Sequence, residues 1–185
     1  YAKSANALVN RLLPDNAEKF KFEQIPQDSS RDVFEIESQN NHIVIRGNNA
    51  VSMAMGLNWY LKYYCFCDVS LFGNQLNLPK VLPTVQPKIR RTSQDKFRYM
   101  LNYCSFGYTL AWYDWEQWER LIDWLALNGI NMPLAVTGQE AVWQNVANKL
   151  GITDLKDFIA GPPYLPFGWM GCLDGWGGPL PQSWI

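Results

Sequence analysis

Tryptophan is placed so unevenly along this chain that it reads as two parts. Of nine tryptophans, Trp59 alone precedes residue 111, and Trp112, Trp115, Trp118, Trp124, Trp143, Trp169, Trp176 and Trp184 follow. Between the two regions lies Leu78 to Asp95, which carries Pro79, Pro83 and Pro87 and then Lys88, Arg90 and Arg91. Proline fixes φ and withholds an amide donor, so this spacing predicts an extended linker. The expected division is one domain over residues 1–88, linker included, and a second over 89–185.

The first part has the pattern of a small α+β unit. Ala5, Leu8, Val9 and Leu12 recur at helical spacing, and Pro14 stops the run. Val33 to Glu37 alternates at strand period, Gln39-Asn40-Asn41 is a turn signal, and His42 to Arg46 alternates again, which predicts a β-hairpin. A helix is expected from Ala50 to Tyr64, with Val51, Met55, Trp59 and Leu61 along its apolar stripe. Two helices on a small sheet make a layered α+β domain.

The second part begins with an expected strand, Phe97 to Cys104. Asp114 and Gln117 have capping-box spacing, and Trp115, Trp118, Ile122 and Leu125 mark one face of the helix they open. Asn128-Gly129 is a helix stop. Ile130 to Val136 has the length of a buried strand, although Pro133 removes a ladder donor. A helix from Gln139 to Leu150, ended by Gly151, and a shorter one from Asp154 to Ile159 follow. Strand, helix, strand, helix is the start of a parallel α/β architecture, either an open sheet or a barrel. A complete (β/α)₈ barrel takes roughly 250 residues, so a barrel here would be incomplete.

Composition excludes several functions. Sixteen Lys and Arg against seventeen Asp and Glu leave no electrostatic case for nucleic acid or an acidic membrane surface. A neutral or small ligand fits better. The longest apolar stretch, Val51 to Tyr64, is interrupted by Ser52, Asn58 and Lys62 and falls short of the ~20 residues of a membrane helix. Tyr1 to Ala5 has no apolar h-region, so no signal peptide is visible. Tyr1 is not an initiator methionine, which leaves a preceding segment open. Four cysteines, a single His42 and no Cys-x-x-Cys pair argue against a zinc site and for buried free thiols.

The run Arg98-Tyr99-Met100-Leu101-Asn102-Tyr103-Cys104 resembles the first barrel strand of the α-N-acetylglucosaminidases of glycoside hydrolase family 89. The likeness continues through Trp112-Tyr113-Asp114-Trp115, Trp118-Glu119-Arg120 and Ile122 to Asn131. It runs on through Gly138-Gln139-Glu140-Ala141, Gly161-Pro162, Gly168-Trp169-Met170-Gly171 and Gly178 to Trp184. Single pieces are weak, but the ordered series is specific and covers residues 98 to 185. Residues before it resemble the small α/β domain that precedes the barrel in this family, best in the helix from Asn48 to Tyr64. The resemblance implies an α/β fold: a small α+β N-terminal domain followed by the first units of an incomplete (β/α)₈ TIM barrel.

It also implies a function, the release of terminal α-linked N-acetylglucosamine from glycoconjugates with retention, without metal or organic cofactor. The implied partners are a glycan with terminal α-N-acetylglucosamine and the remainder of the catalytic domain, and the implied compartment is secreted, periplasmic or lysosomal. Retention needs two carboxyl groups about 5–5.5 Å apart. Both family glutamates are expected downstream of Ile185, so these residues alone should be catalytically silent. Glu140 follows the second expected strand, but a carboxylate opening a helix also suits the helix dipole. Glu119 and Asp123, at i and i+4, are expected on a solvated or salt-bridged face.

Four residues match sugar-binding positions of the family: Asn102, Cys104, Tyr108 and Phe167. Asn102 and Cys104 would share one strand face. Their alternative role is a buried polar layer and a core thiol. Phe167 stands where relatives can carry tryptophan. Trp169 stands where the animal enzyme has a basic residue, which implies a preference for neutral glycans. Trp115, Trp118 and Trp124 are expected in the core, and Trp176 and Trp184 at the pocket rim. Two other readings stay in view, a non-catalytic carbohydrate-binding module and a structural or interaction fragment.

Overall fold

A computed structural model of the chain describes residues 1–27, 30–102, 105, 109–135 and 139–152. It divides into two compact units, Tyr1–Tyr99 with Gln117–Met132, and Met100–Glu116 with the residues from Pro133 onward.

The first unit is built on a four-stranded mixed sheet. Helix α1 (Ala2–Leu12) buries Ala5, Leu8 and Val9, and ends where Pro14 cannot continue it. The predicted hairpin is present as β2 (Val33–Gln39) and β3 (His42–Gly47). Its two-residue turn places Asn40 and Asn41 at φ 48° and 63°, a left-handed conformation that asparagine tolerates and a tight hairpin requires. Two further strands flank it, β1 (Phe20–Gln24), parallel to β3, and β6 (Ile89–Thr92), antiparallel to β2. The order is β1-β3-β2-β6.

Strand β6 corrects the expectation of an extended linker from Leu78 to Asp95. The prolines stop at Pro87, and from Ile89 the chain is free to donate to a sheet edge. Arg90 and Arg91 then furnish the charges that keep an edge strand from pairing further.

Pairing across the sheet puts Phe22, Ile45, Ile36 and Ile89 in one row, and Glu23, Arg46, Glu35 and Arg90 in the adjacent one. Successive strand residues point to opposite faces, so the first row meets the helices and the second turns away. The second row alternates in charge. Arg46 Nε donates to Glu23 at 2.6 Å and its guanidinium also bonds Glu37. Arg90 and Lys88 donate to Glu35 at 2.6 and 3.1 Å. Burial pushes the Glu35 carboxyl up, but these two cations outweigh it and hold it below its ordinary value.

Helix α2 (Ala50–Tyr64) matches its predicted span. Asn49 caps it: its side chain accepts from Ser52 N at 2.9 Å, and Ser52 Oγ accepts from Asn49 N at 3.0 Å. The core face is Met53, Leu57, Tyr60 and Leu61, rotated from the predicted stripe, and Val51, Met55 and Trp59 are only half-buried. The cause is cover on more than one side. Trp59 packs on Phe34 and Tyr63, while Asn58 Nδ2 donates to Leu127 O at 3.0 Å. The helix lies so close to the sheet that a Cβ on Gly56 would stand 2.7 Å from Ile45 Cγ2. Cys65 and Cys67 are buried free thiols, as expected, and burial pushes the Cys65 pKa up to about 11. A two-residue hairpin pair, β4 (Asp68–Val69) and β5 (Asn74–Gln75), follows.

Strand β7 (Tyr99–Met100) is shorter than the expected Phe97 to Cys104. Helix α3 (Trp115–Leu127) and strand β8 (Met132–Pro133) come next, then helix α4 (Gln139–Lys149). The carbonyls of Arg98 and Met100 accept from the amides of Met132 and Leu134, a constant offset that defines a parallel pair. On α3 the buried residues are Leu121, Leu125 and Leu127, whereas Trp115 and Ile122 are 70% and 49% exposed. The i, i+4 leucine pair thus replaces the predicted tryptophan-led face, and Trp115 is not a core residue. Gly129, at φ 74°, ends α3 as predicted: its amide bonds Ala126 O while Ile130 N bonds Leu125 O. Of the expected strand Ile130 to Val136, the described residues form β8 at Met132–Pro133, which is exposed, not buried. Helix α4 stops before Gly151 in the same manner. The expected helix Asp154 to Ile159 lies outside the described residues.

Candidate functional site

A parallel strand–helix–strand–helix order carries its chemistry where strands end and the following loops begin. Asn102 lies just beyond the end of β7. Between them Leu101 has φ 75°, a left-handed conformation uncommon for a branched side chain. The strand therefore stops at Met100 and Asn102 opens a turn.

The turn fixes Asn102. Its Oδ1 accepts from Ser105 N at 3.0 Å and from Ser105 Oγ at 3.3 Å, and its backbone carbonyl accepts from the same amide at 3.2 Å. The side chain is exposed. With the oxygen already engaged, and no partner for Nδ2 among the described residues, the amide protons suit a sugar hydroxyl or carbonyl acceptor. Ser105 was absent from the sequence reading. Its signal was present as Asn-x-x-Ser, the spacing at which an asparagine caps a turn.

Cys104, Tyr108 and Phe167 lie outside the described residues, as do Trp169, Trp176 and Trp184. Glu140 opens α4, and its side chain is not described. Glu119 and Asp123 take the salt-bridged role expected of them. Arg11 on α1 donates to Asp123 at 2.7 and 2.6 Å and lies 3.6 Å from Glu119.

In the first unit, Arg98 ties the start of β7 into a polar cluster. Its guanidinium pairs with Asp32, which is 8% exposed, and donates to Gly129 O and to Ser93 Oγ at 2.5 and 2.9 Å. Asp32 also accepts from Asn49 at 2.5 Å, and Asn131 Oδ1 accepts from Arg98 N at 2.9 Å. The residue that precedes β7 is thereby held by the cap of α2 and by the stop of α3.

Comparison with known proteins agrees with this arrangement. Residues 3–84 match the family model of the α-N-acetylglucosaminidase N-terminal domain, and residues 98–185 match that of its TIM-barrel domain. The chain is 46% identical over 142 residues to human (Homo sapiens) alpha-N-acetylglucosaminidase, a stretch covering 76% of this chain and 19% of that protein. It is similar to a family 89 glycoside hydrolase from Clostridium perfringens solved with 2-acetamido-1,2-dideoxynojirimycin. That likeness has a TM-score of 0.88 and 37% identity, and covers 99% of this chain and 21% of the other. The same values hold for that enzyme solved as a glutamate-to-glutamine variant with its substrate GlcNAc-alpha-1,4-galactose. The chain belongs to the α-N-acetylglucosaminidase family, glycoside hydrolase family 89. It spans about a fifth of the length of these relatives.

Proposed function

We propose that this chain is the leading part of an α-N-acetylglucosaminidase that releases terminal α-linked N-acetylglucosamine with retention. The observation that carries the reading is the continuous likeness, through both domains, to enzymes of that activity. On this reading the junction between the small domain and the barrel lies between Thr92 and Arg98, a few residues beyond the 88/89 division, because β6 belongs to the first sheet. The two catalytic glutamates lie downstream of Ile185. The substrate is a glycan ending in α-N-acetylglucosamine, and the compartment is secreted, periplasmic or lysosomal.

Asn102 binds the terminal sugar through Nδ2, with Cys104, Tyr108 and Phe167 around the same pocket. The support for Asn102 is its place at a strand end, its exposure, and the tether that leaves its amide protons to a ligand. In the full-length enzyme Asn102→Ala removes one such bond. The expected loss is roughly 1–3 kcal/mol of transition-state stabilisation, about 5- to 150-fold in kcat/KM. The decisive assay is hydrolysis of GlcNAc-α-1,4-galactose by the full-length protein, with residues 1–185 as the silent control. No hydrolysis by the full-length protein would refute the activity. Unchanged kcat/KM in a folded Asn102→Ala variant would remove Asn102 from the site.

A further inference from the structure

A cavity of about 540 Å³ lies wholly within the first unit, between the turn of the β2–β3 hairpin and the segment from Lys80 to Gln86. We propose that it is a binding site for an anionic sugar, a saccharide unit carrying a sulfate or a carboxylate. The proposal is independent of the hydrolase reading, because every residue in it belongs to the small domain.

Both walls are fixed before any ligand arrives. Ser38 N donates to Val85 O at 3.2 Å, Val85 N donates to Ser38 Oγ at 2.9 Å, and the buried Tyr60 hydroxyl donates to Pro83 O at 2.9 Å. The opposite wall is the Asn40–Asn41 turn. There His42 Nδ1 donates to Asn40 O at 2.7 Å, which orients the ring. A ligand entering a preformed site loses less free energy to ordering the protein.

The lining chemistry selects the ligand class. Gln39, Asn41, Thr84 and Gln86 offer carboxamides and a hydroxyl, and none of these side chains has a hydrogen-bond partner among the described residues. Such groups both donate and accept, which matches sugar hydroxyls. Ile43 and Leu82 supply an apolar patch for the C–H face of a ring, and the lining holds no phenylalanine, tyrosine or tryptophan. Lys19 and Lys80 are the charged lining residues, and the lining itself holds no carboxylate, in a chain whose net charge is −1. Lys19 uses one proton on Asn16 Oδ1 at 2.7 Å, and Lys80 has no partner among the described residues. Two point-like ammonium groups attract an anion without imposing the planar geometry of an arginine, so sulfate and carboxylate are both admitted.

The test is a titration of this chain, followed by amide chemical shifts, with sulfated N-acetylglucosamine, glucuronic acid, unmodified N-acetylglucosamine and inorganic sulfate. The expected result is saturable shifts at residues 38–43 and 80–86 with at least one of the two charged sugars. That sugar should bind roughly tenfold more tightly than N-acetylglucosamine, and more weakly as salt is added. Lys80→Ala, at an exposed and unpartnered position, leaves the fold intact and should weaken binding roughly fivefold. Equal affinity for the neutral sugar, equal affinity for inorganic sulfate alone, shifts confined to other residues, or no effect of Lys80→Ala would each overturn the proposal.

Discussion

In the first unit Val9, Ile36, Ile45, Leu57 and Leu61 are wholly shielded from solvent, whereas Trp112, Val142, Val146 and Leu150 of the second are between 43% and 82% exposed. Both regions are rich in apolar residues, so composition does not account for the difference. Topology does. A four-stranded sheet with two helices laid on one face can bury a continuous core by itself. Among its described residues the second unit holds the ends of a two-strand parallel pair, a 3-10 turn over Thr109–Trp112 and helix α4. A parallel strand reaches stability when neighbours lie on both of its sides and helices cover both of its faces. The same apolar side chain is therefore a determinant of stability in one region and nearly inert in the other.

Substitution can break that comparison. Ile45→Ala removes a fully buried side chain from the middle of the sheet and should cost about 4 kcal/mol. Val146→Ala, on α4, should change stability by less than about 0.5 kcal/mol. Urea unfolding of the two variants beside the parent measures both. Similar losses at the two positions would mean that α4 is packed as tightly as β3, and the contrast would fail.

The polar cluster around Arg98, within the first unit and just before β7, sharpens the comparison. Asp32→Ala leaves the Arg98 guanidinium without its carboxylate in a largely buried setting. The expected cost is about 3 kcal/mol, at the lower end for a buried pair because Arg98 keeps Gly129 O and Ser93 Oγ. Thermal unfolding is the readout. A loss below about 1 kcal/mol would show that solvent replaces the carboxylate, and that β7 is not anchored through this contact.

The outer face of the sheet should also respond to pH. Glu35 has a folded-state pKa below its ordinary value, so it contributes stability that is present above the unfolded value and is lost as pH falls through the folded one. Glu35→Gln cannot gain that proton. Its stability should fall less than the parent's as the solution is acidified, with the two curves converging at the acid end. Parallel curves from neutral to acid would show that Arg90 and Lys88 do not favour the ionised carboxylate.

How legible this was in the sequence differs by region for physical reasons. The hairpin, α2 and both glycine stops were readable because alternation, an asparagine turn and a positive-φ glycine are local signals. Strand β1 had a signal too, the alternating Phe20-Lys21-Phe22, but parallel pairing with β3 gives no turn to announce it. Strand β6 was hidden by the prolines before it. The stripe of α2 was misplaced because a helix covered on several sides is apolar nearly all round. Asn102 was legible only through the family resemblance. Its tether to Ser105 depends on a turn that follows a left-handed Leu101, which no periodicity encodes.

The smallest expected effect concerns the charged contact between α1 and α3. Arg11 meets Asp123 through two short bonds and Glu119 through a longer one, and hydrogen bonding to Asp123 raises the Arg11 pKa. The guanidinium side chain is 39% exposed and Asp123 20%, so water and salt screen the pair. A forked arginine–carboxylate bond is the strongest of the surface geometries, yet exposed pairs contribute at most about 1 kcal/mol. Arg11→Ala, Asp123→Ala and the double variant form a cycle that separates the pair from the packing each side chain loses. The expected coupling is about 0.5 kcal/mol at low salt and falls toward zero in molar salt. A coupling above about 2 kcal/mol that salt leaves unchanged would mean that the pair is effectively buried.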